Sequence, residues 1–176
     1  MYSKKKFRVK PMEDIRKEIE KAKEHYSDVK KVFLADGNAM VLSFNKLKEI
    51  IDMLNEAFPK LSRISAYALP KDLSSKSPEE LKILHDSGLK LVYVGIESGD
   101  DELLRLIDKS ETFNSTVDGL KKSQDAGIKS SVMILTGLGG KKYSEQHAIN
   151  SAMVLNAIQP HYASTLVLSF PYGEDH

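Results

Sequence analysis

Five short apolar runs alternate with segments of helical spacing, and this alternation limits the fold more than any other feature of the chain. The runs are residues 31–36 (KVFLAD), 62–68 (SRISAYA), 89–97 (LKLVYVGIE), 128–137 (IKSSVMILTG) and 162–170 (YASTLVLSF). They are rich in aliphatic and aromatic side chains, as strands are. Their starts lie roughly thirty residues apart, which leaves room for a crossover helix, so successive strands are expected to run parallel. Near-continuous apolar strands require cover on both faces or closure into a barrel.

The intervening segments read as helices. Met12, Ile15, Ile19, Ala22 and Tyr26 share one helical face, with Pro11 at the entry. Leu47, Ile50, Ile51, Leu54 and Phe58 repeat the spacing. In SPEELKILHDSG, Ser77 is the expected N-cap, Pro78 the first helical residue, Glu80 the partner in a capping box and Gly88 the stop. DDELLRLIDK turns Leu103, Leu104 and Ile107 inward. TFNSTVDGLKKSQDAG ends at Gly127, and SEQHAINSAMVLNAIQP ends at Pro160.

No internal boundary interrupts the pattern, so residues 1–176 are expected to form a single domain. Five units are too few for an eight-stranded α/β barrel, which takes around 250 residues. The pattern opens on a helix and stops straight after a strand, so one strand is expected to be missing at the front. A net charge of +1 gives no electrostatic case for nucleic acid or an anionic membrane. There is no Cys, hence no thiolate nucleophile and no Cys-ligated metal within the chain. No apolar run reaches bilayer-spanning length, and MYSKKKFRVK lacks the apolar core of a signal peptide, so a cytoplasmic location is expected.

In parallel α/β folds ligands bind at the carboxyl ends of the strands. Here those ends carry Asp36-Gly37-Asn38, Tyr67, Glu97-Ser98-Gly99, Thr136-Gly137-Leu138-Gly139-Gly140 and Ser169-Phe170-Pro171-Tyr172. Glycine beside polar or aromatic residues at most of these ends suits a small-molecule pocket. Any one loop is equally well read as a turn or a helix cap. Glu97 is the hardest to read that way, because it closes a mostly apolar strand and precedes the cap. TGLGGKKYS fits neither a Walker A loop nor a dinucleotide-binding glycine motif. The five histidines show no metal-binding spacing; His147, placed toward the end of the fourth strand, is the best located of them.

FLADGNAMVL, YVGIESGDDELLRLIDK, VMILTGLGG and LSFPYG, in this order on successive strands, resemble the core of the radical SAM enzymes. They are nearest the iron–sulfur oxidoreductase group that shares a core with the coproporphyrinogen-dehydrogenase and methylthiotransferase branches. The resemblance implies an α/β fold in which about five parallel strands and their crossover helices form an incomplete TIM-like (β/α)6 partial barrel. In the intact family, S-adenosylmethionine lies beside a [4Fe–4S] cluster, and a 5′-deoxyadenosyl radical abstracts hydrogen from a small-molecule substrate. By position, Asp36, Gly37 and Asn38 match the loop at the methionyl amine. Glu97 and Ser98 match the strand end that holds the ribose hydroxyls and methionyl group, where a carboxylate serves both partners. Arg105 would pair with the methionyl carboxylate. Ile134, Thr136, Gly137, Leu168 and Phe170 match the adenine surroundings, and Tyr67 is counted with the cofactor site as the end of the second strand.

The CxxxCxxC segment of the family is absent, so this chain is expected to be a truncated core that binds no cluster and is inactive alone. Two other readings stand beside it: a non-enzymatic module that keeps a nucleoside or small-molecule pocket, and an unrelated aldolase-like or phosphate-binding α/β enzyme using Lys141. Self-association through exposed sheet edges is a further expectation. After iron–sulfur reconstitution and reduction in the presence of S-adenosylmethionine, this chain is expected to yield no 5′-deoxyadenosine by chromatography. Product above the protein-free control would overturn the expectation.

Overall fold

The computed structural model describes residues 8–169. Phe170, named above beside the adenine, and the basic start of the chain lie outside the described residues. The described residues open with helix α1 (Met12–His25) and strand β1 (Lys31–Leu34), then a short 3-10 turn (Ala39–Val41) and α2 (Phe44–Ala57). Next come β2 (Arg63–Tyr67), α3 (Pro70–Ser74), α4 (Pro78–Asp86) and β3 (Leu89–Glu97). It closes with α5 (Asp101–Leu106), α6 (Phe113–Asp125), β4 (Lys129–Thr136), α7 (Gly140–Ile158) and β5 (Tyr162–Val167). All five strands are parallel and lie in one sheet in the order β1-β2-β3-β4-β5.

The sheet has two unlike faces because side chains alternate along a strand. Val32, Ile64, Ala66, Val92, Val94, Ile96, Val132 and Ile134 join one apolar core with residues of α2, α4, α6 and α7. Leu47, Ile51, Leu81, Leu84 and Leu120 are fully buried there. The other face, called the open face below, carries Lys31, Phe33, Arg63, Tyr67, Tyr93, Lys129, Ser131 and Met133, none of them fully buried. β5 is exposed along its whole length. Among the described residues β1 and β5 are the sheet edges. A cavity of about 900 Å³ opens between α1, β1 and α2, lined by Ile15, Ile19, Val32, Leu34, Leu54 and Phe58.

Local chemistry fixes the element ends. Ser77 and Glu80 form the expected capping box on α4, and Thr112 with Ser115 forms another on α6. Gly88 sits at φ 120° beyond α4. Helix α7 starts four residues earlier than the segment read from the sequence, at Gly140 instead of Ser144. Helix α3 was not expected. It is a single short turn held by Leu73 in the core and by Glu111, whose carboxylate accepts the amide of Lys71 at 3.2 Å. Lys76, just beyond α3, is buried and donates to the carbonyl of Met40 at 2.5 Å. Its burial lowers the ammonium pKa against the opposing pull of Asp72 and Glu80.

Helices α3 and α6 meet backbone to backbone. A Cβ added at Gly119 would stand 2.4 Å from the carbonyl oxygen of Pro70. Alanine favours a helix over glycine by about 1 kcal/mol. Forcing an atom into a packed contact costs about 1–3 kcal/mol, so the clash wins. Gly119→Ala is expected to lower stability by about 1–2 kcal/mol in urea denaturation, and a stabilised variant would refute this contact.

Candidate functional site

The site is built on the end of β3. Strand β3 pairs with β4 in register up to Gly95 and Met133, then slips so that Glu97 stands opposite Ile134. This bulge re-aims the end of the strand. Glu97 has φ 58°, a left-handed conformation that costs a non-glycine residue of order 1–3 kcal/mol. Its side chain folds back over Gly95, where a Cβ would lie 2.6 Å from Glu97 Oε1. Glycine at 95 is what leaves room for the carboxylate on the open face.

Lys109 meets it there. Its Nζ donates to Glu97 Oε1 at 3.0 Å and to the Gly95 carbonyl at 2.9 Å. Both side chains are about three-quarters buried, which shields the pair from solvent more than a surface ion pair. Asp108, at φ 56°, turns the chain after α5 so that Lys109 returns to β3. Arg105, assigned to this neighbourhood from the sequence, is exposed on α5, and Lys109 takes the place beside Glu97.

The residues after Glu97 are tied to α7. Ser98 is buried; its hydroxyl accepts the amide of Asp100 at 3.0 Å and lies 2.8 Å from His147 Nδ1. The Gly99 amide donates to Ser151 Oγ at 3.0 Å, and a Cβ at Gly99 would lie 2.2 Å from the Asn150 carbonyl oxygen. Asp100 caps α5 by accepting the Leu103 amide at 2.8 Å and also accepts from Asn150 Nδ2 at 2.6 Å. Burial opposes ionisation of Asp100, but hydrogen bonds from Leu103, Gln146, Asn150 and Glu102 together hold its pKa below the usual value. Ser98 thus spends its hydroxyl on the turn that presents Glu97.

The other expected residues fall into two groups. Thr136, Gly137 and Leu168 come together at the ends of β4 and β5: Thr136 Oγ1 donates to the Leu166 carbonyl at 3.0 Å, and the Leu168 amide donates to the Thr136 carbonyl at 2.9 Å. Ile134 does not join them. Strand alternation turns it to the helix side, where it is part of the apolar core. At the end of β1, Asp36 and Gly37 have positive φ, and Asn38 caps the 3-10 turn by accepting the Met40 amide at 3.0 Å. The Asn38 amide nitrogen also donates to Asp72. Asp36 remains exposed.

Tyr67 belongs to an aromatic trio on the open face. Its ring centroid lies 4.8 Å from Phe33 and 6.3 Å from Tyr93, in edge-on contacts. Phe33 and Tyr67 keep 39% and 47% of their surface exposed, too much for core residues of this size. Sequence reading passed over Phe33, Tyr93 and Lys109. The first two alternate with core residues and look like ordinary strand residues until the sheet shows which face is open. Lys109 reaches Glu97 only through the reversal after α5. Lys141 is exposed at the start of α7.

The family model "Radical SAM superfamily" matches residues 2–152. The heme chaperone HemW of Bacillus subtilis is 28% identical over 144 residues, covering 81% of this chain and 38% of that protein. Coproporphyrinogen III oxidase HemN from Escherichia coli, a radical SAM enzyme, superimposes with a TM-score of 0.74 at 15% identity, over 90% of this chain and 36% of its own. Elp3 of Methanocaldococcus infernus gives 0.62 at 16% identity, over 88% of this chain and 41% of its own. The chain therefore spans well under half the length of the proteins it matches. The likeness identifies the five-stranded sheet as the partial barrel of that fold.

Two checks follow from the turn at 97–100. Gly95→Ala is expected to displace the Glu97 carboxylate and break its pair with Lys109, seen as a shift of the Lys109 side-chain resonances; an unchanged spectrum would contradict the geometry. The Asp100 carboxyl has a lower pKa folded than unfolded, so its contribution is complete above 3.8, the unpaired value, and fades as the pH falls through the folded value. Asp100→Ala is expected to cost about 1–2 kcal/mol at neutral pH, with the gap to the unmodified protein narrowing below pH 3.8 in urea titrations.

Proposed function

This chain belongs to the radical SAM superfamily, and we propose that its strand ends form the part of such a site that holds the nucleoside and methionyl portions of S-adenosylmethionine. The observation that carries this reading is the Glu97–Lys109 pair on the open face. A carboxylate accepts from an ammonium or from vicinal hydroxyls, and an ammonium donates to a carboxylate. The methionyl end of the ligand offers both charges, so it can exchange with each half of the pair. We place the adenine edge against Thr136, Gly137 and Leu168, which come together at the ends of β4 and β5. Asp36 extends the polar rim at the end of β1.

The [4Fe–4S] cluster that such enzymes use does not fit the residues present. Clusters of this type are held by Cys thiolates, and the chain has none. Among the described residues no cluster of three His, Asp or Glu side chains is placed to hold a metal. In this reading the chain binds and orients the nucleoside, while radical chemistry awaits thiolates from outside these 176 residues. In the intact enzyme the substrate would be a small molecule. No helix among the described residues is long and apolar enough to cross a membrane.

Isothermal titration with S-adenosylmethionine and with S-adenosylhomocysteine tests the reading. Both are expected to bind. Glu97→Gln and Lys109→Gln should each weaken binding about tenfold or more, the scale of one lost charge-assisted contact. Arg105→Gln should leave it unchanged. No heat from either ligand at millimolar concentration, with the fold intact by circular dichroism, would remove the reading.

A further inference from the structure

At the opposite end of the open face, where the strands begin, three cations stand without acidic partners. Lys31 opens β1, Arg63 opens β2 and Lys129 opens β4. Lys31 and Arg63 are direct neighbours in the register. Lys129 stands opposite Leu91, which stands opposite Ser65, two residues beyond Arg63. Strand alternation puts all three on the open face with Phe33, Tyr67 and Tyr93. Lys31 and Arg63 are one strand apart, about 4.8 Å, whereas Lys129 is three strands from Lys31, about 14 Å, so a bound group has to lie between them to be met from both sides.

Several other cations of this chain, Lys90 and Lys121 among them, also lack an ion pair, and what sets this group apart is Arg63. Among the described residues Lys31, Arg63 and Lys129 have no acidic side chain within ion-pair distance. Arg63 is only part-exposed, and its Nε is the one buried side-chain nitrogen or oxygen among those residues that lacks a hydrogen-bond partner. An orphaned donor on a charged group costs more than a neutral one. Because Nε itself is buried, that cost is relieved only when the guanidinium turns outward to meet an anion. The next layer of the open face is aromatic: Phe33 follows Lys31 by two residues, and its ring lies 5.5 Å from that of Tyr93.

We propose that Lys31, Arg63 and Lys129 form an anion-binding site at the strand starts, which takes the phosphate or carboxylate of a ligand whose flat apolar body lies on Phe33, Tyr67 and Tyr93. The guanidinium supplies paired donors and the two ammonium groups supply compact charge. The rings supply an apolar surface that a planar group covers edge-on or offset. This site is separate from the Glu97–Lys109 pair and does not depend on the S-adenosylmethionine reading.

1-Naphthyl phosphate is the probe, with inorganic phosphate and 1-naphthol as its two halves. Binding is followed by tyrosine chemical shifts in the intact chain. The naphthyl phosphate is expected to bind at least tenfold more tightly than either half, and to weaken as salt rises. Arg63→Gln, and the double change Lys31→Gln with Lys129→Gln, should each lower affinity about tenfold or more. Tyr67→Leu should weaken the naphthyl phosphate but not inorganic phosphate. Lys109→Gln should leave all three probes unchanged while altering S-adenosylhomocysteine binding, which separates the two sites. Equal binding by the charge variants with unchanged circular dichroism would overturn the proposal. So would affinity that follows 1-naphthol alone.

Discussion

The turn from Glu97 to Asp100 depends on one close approach. The backbone of Gly99 lies against the backbone of α7 so tightly that no side chain fits between them. Ser98, Gly99 and Asp100 then each hydrogen-bond to α7 or across the turn itself. With the chain clamped on that side, Glu97 has little freedom to relax out of its left-handed conformation. The strain is sustained by packing on the helix side and expressed as a carboxylate on the open side. Adding a methyl group at Gly95 or at Gly99 acts on opposite ends of the same lever.

The fold was largely legible in the sequence because a parallel sheet writes its pattern twice. Its strands appear as apolar runs, and their spacing leaves room only for crossovers. β3 was read to the residue, since Leu89 follows the glycine that stops α4 and Glu97 ends the apolar run. The capping box of Ser77 and Glu80 was read equally well, being a local signal. Helix α3 was not, because five residues carry no periodicity and its stability comes from Glu111, forty residues on.

The site was legible only in part. Position along the strand identified Glu97, Thr136 and Gly137 as strand-end residues. Which face each side chain takes was harder to read. Ile134 sits in an apolar run where neighbours on both faces look alike, and the register slip at Glu97 changes the correspondence between β3 and β4. Ser98 looks available in sequence, yet its hydroxyl is consumed within the turn. Lys109 was passed over because its partner is reached through a left-handed reversal at Asp108 that no local signal marks.

The strand order of the sheet is the order of the chain. Each strand pairs with the one made just before it, and no later segment has to thread between two earlier ones. Parallel sheets fold slowly when distant segments must find each other. Here every new strand needs only the edge left by its predecessor, so the sheet can lengthen from β1 toward β5 as the polypeptide leaves the ribosome. The turn at Glu97 is the exception to this progress. It is locked by His147, Asn150 and Ser151, which are translated some fifty residues later, as the sequence separations of these contacts show. The polar end of β3 would therefore acquire its final shape only when α7 docks, near the close of synthesis of these residues.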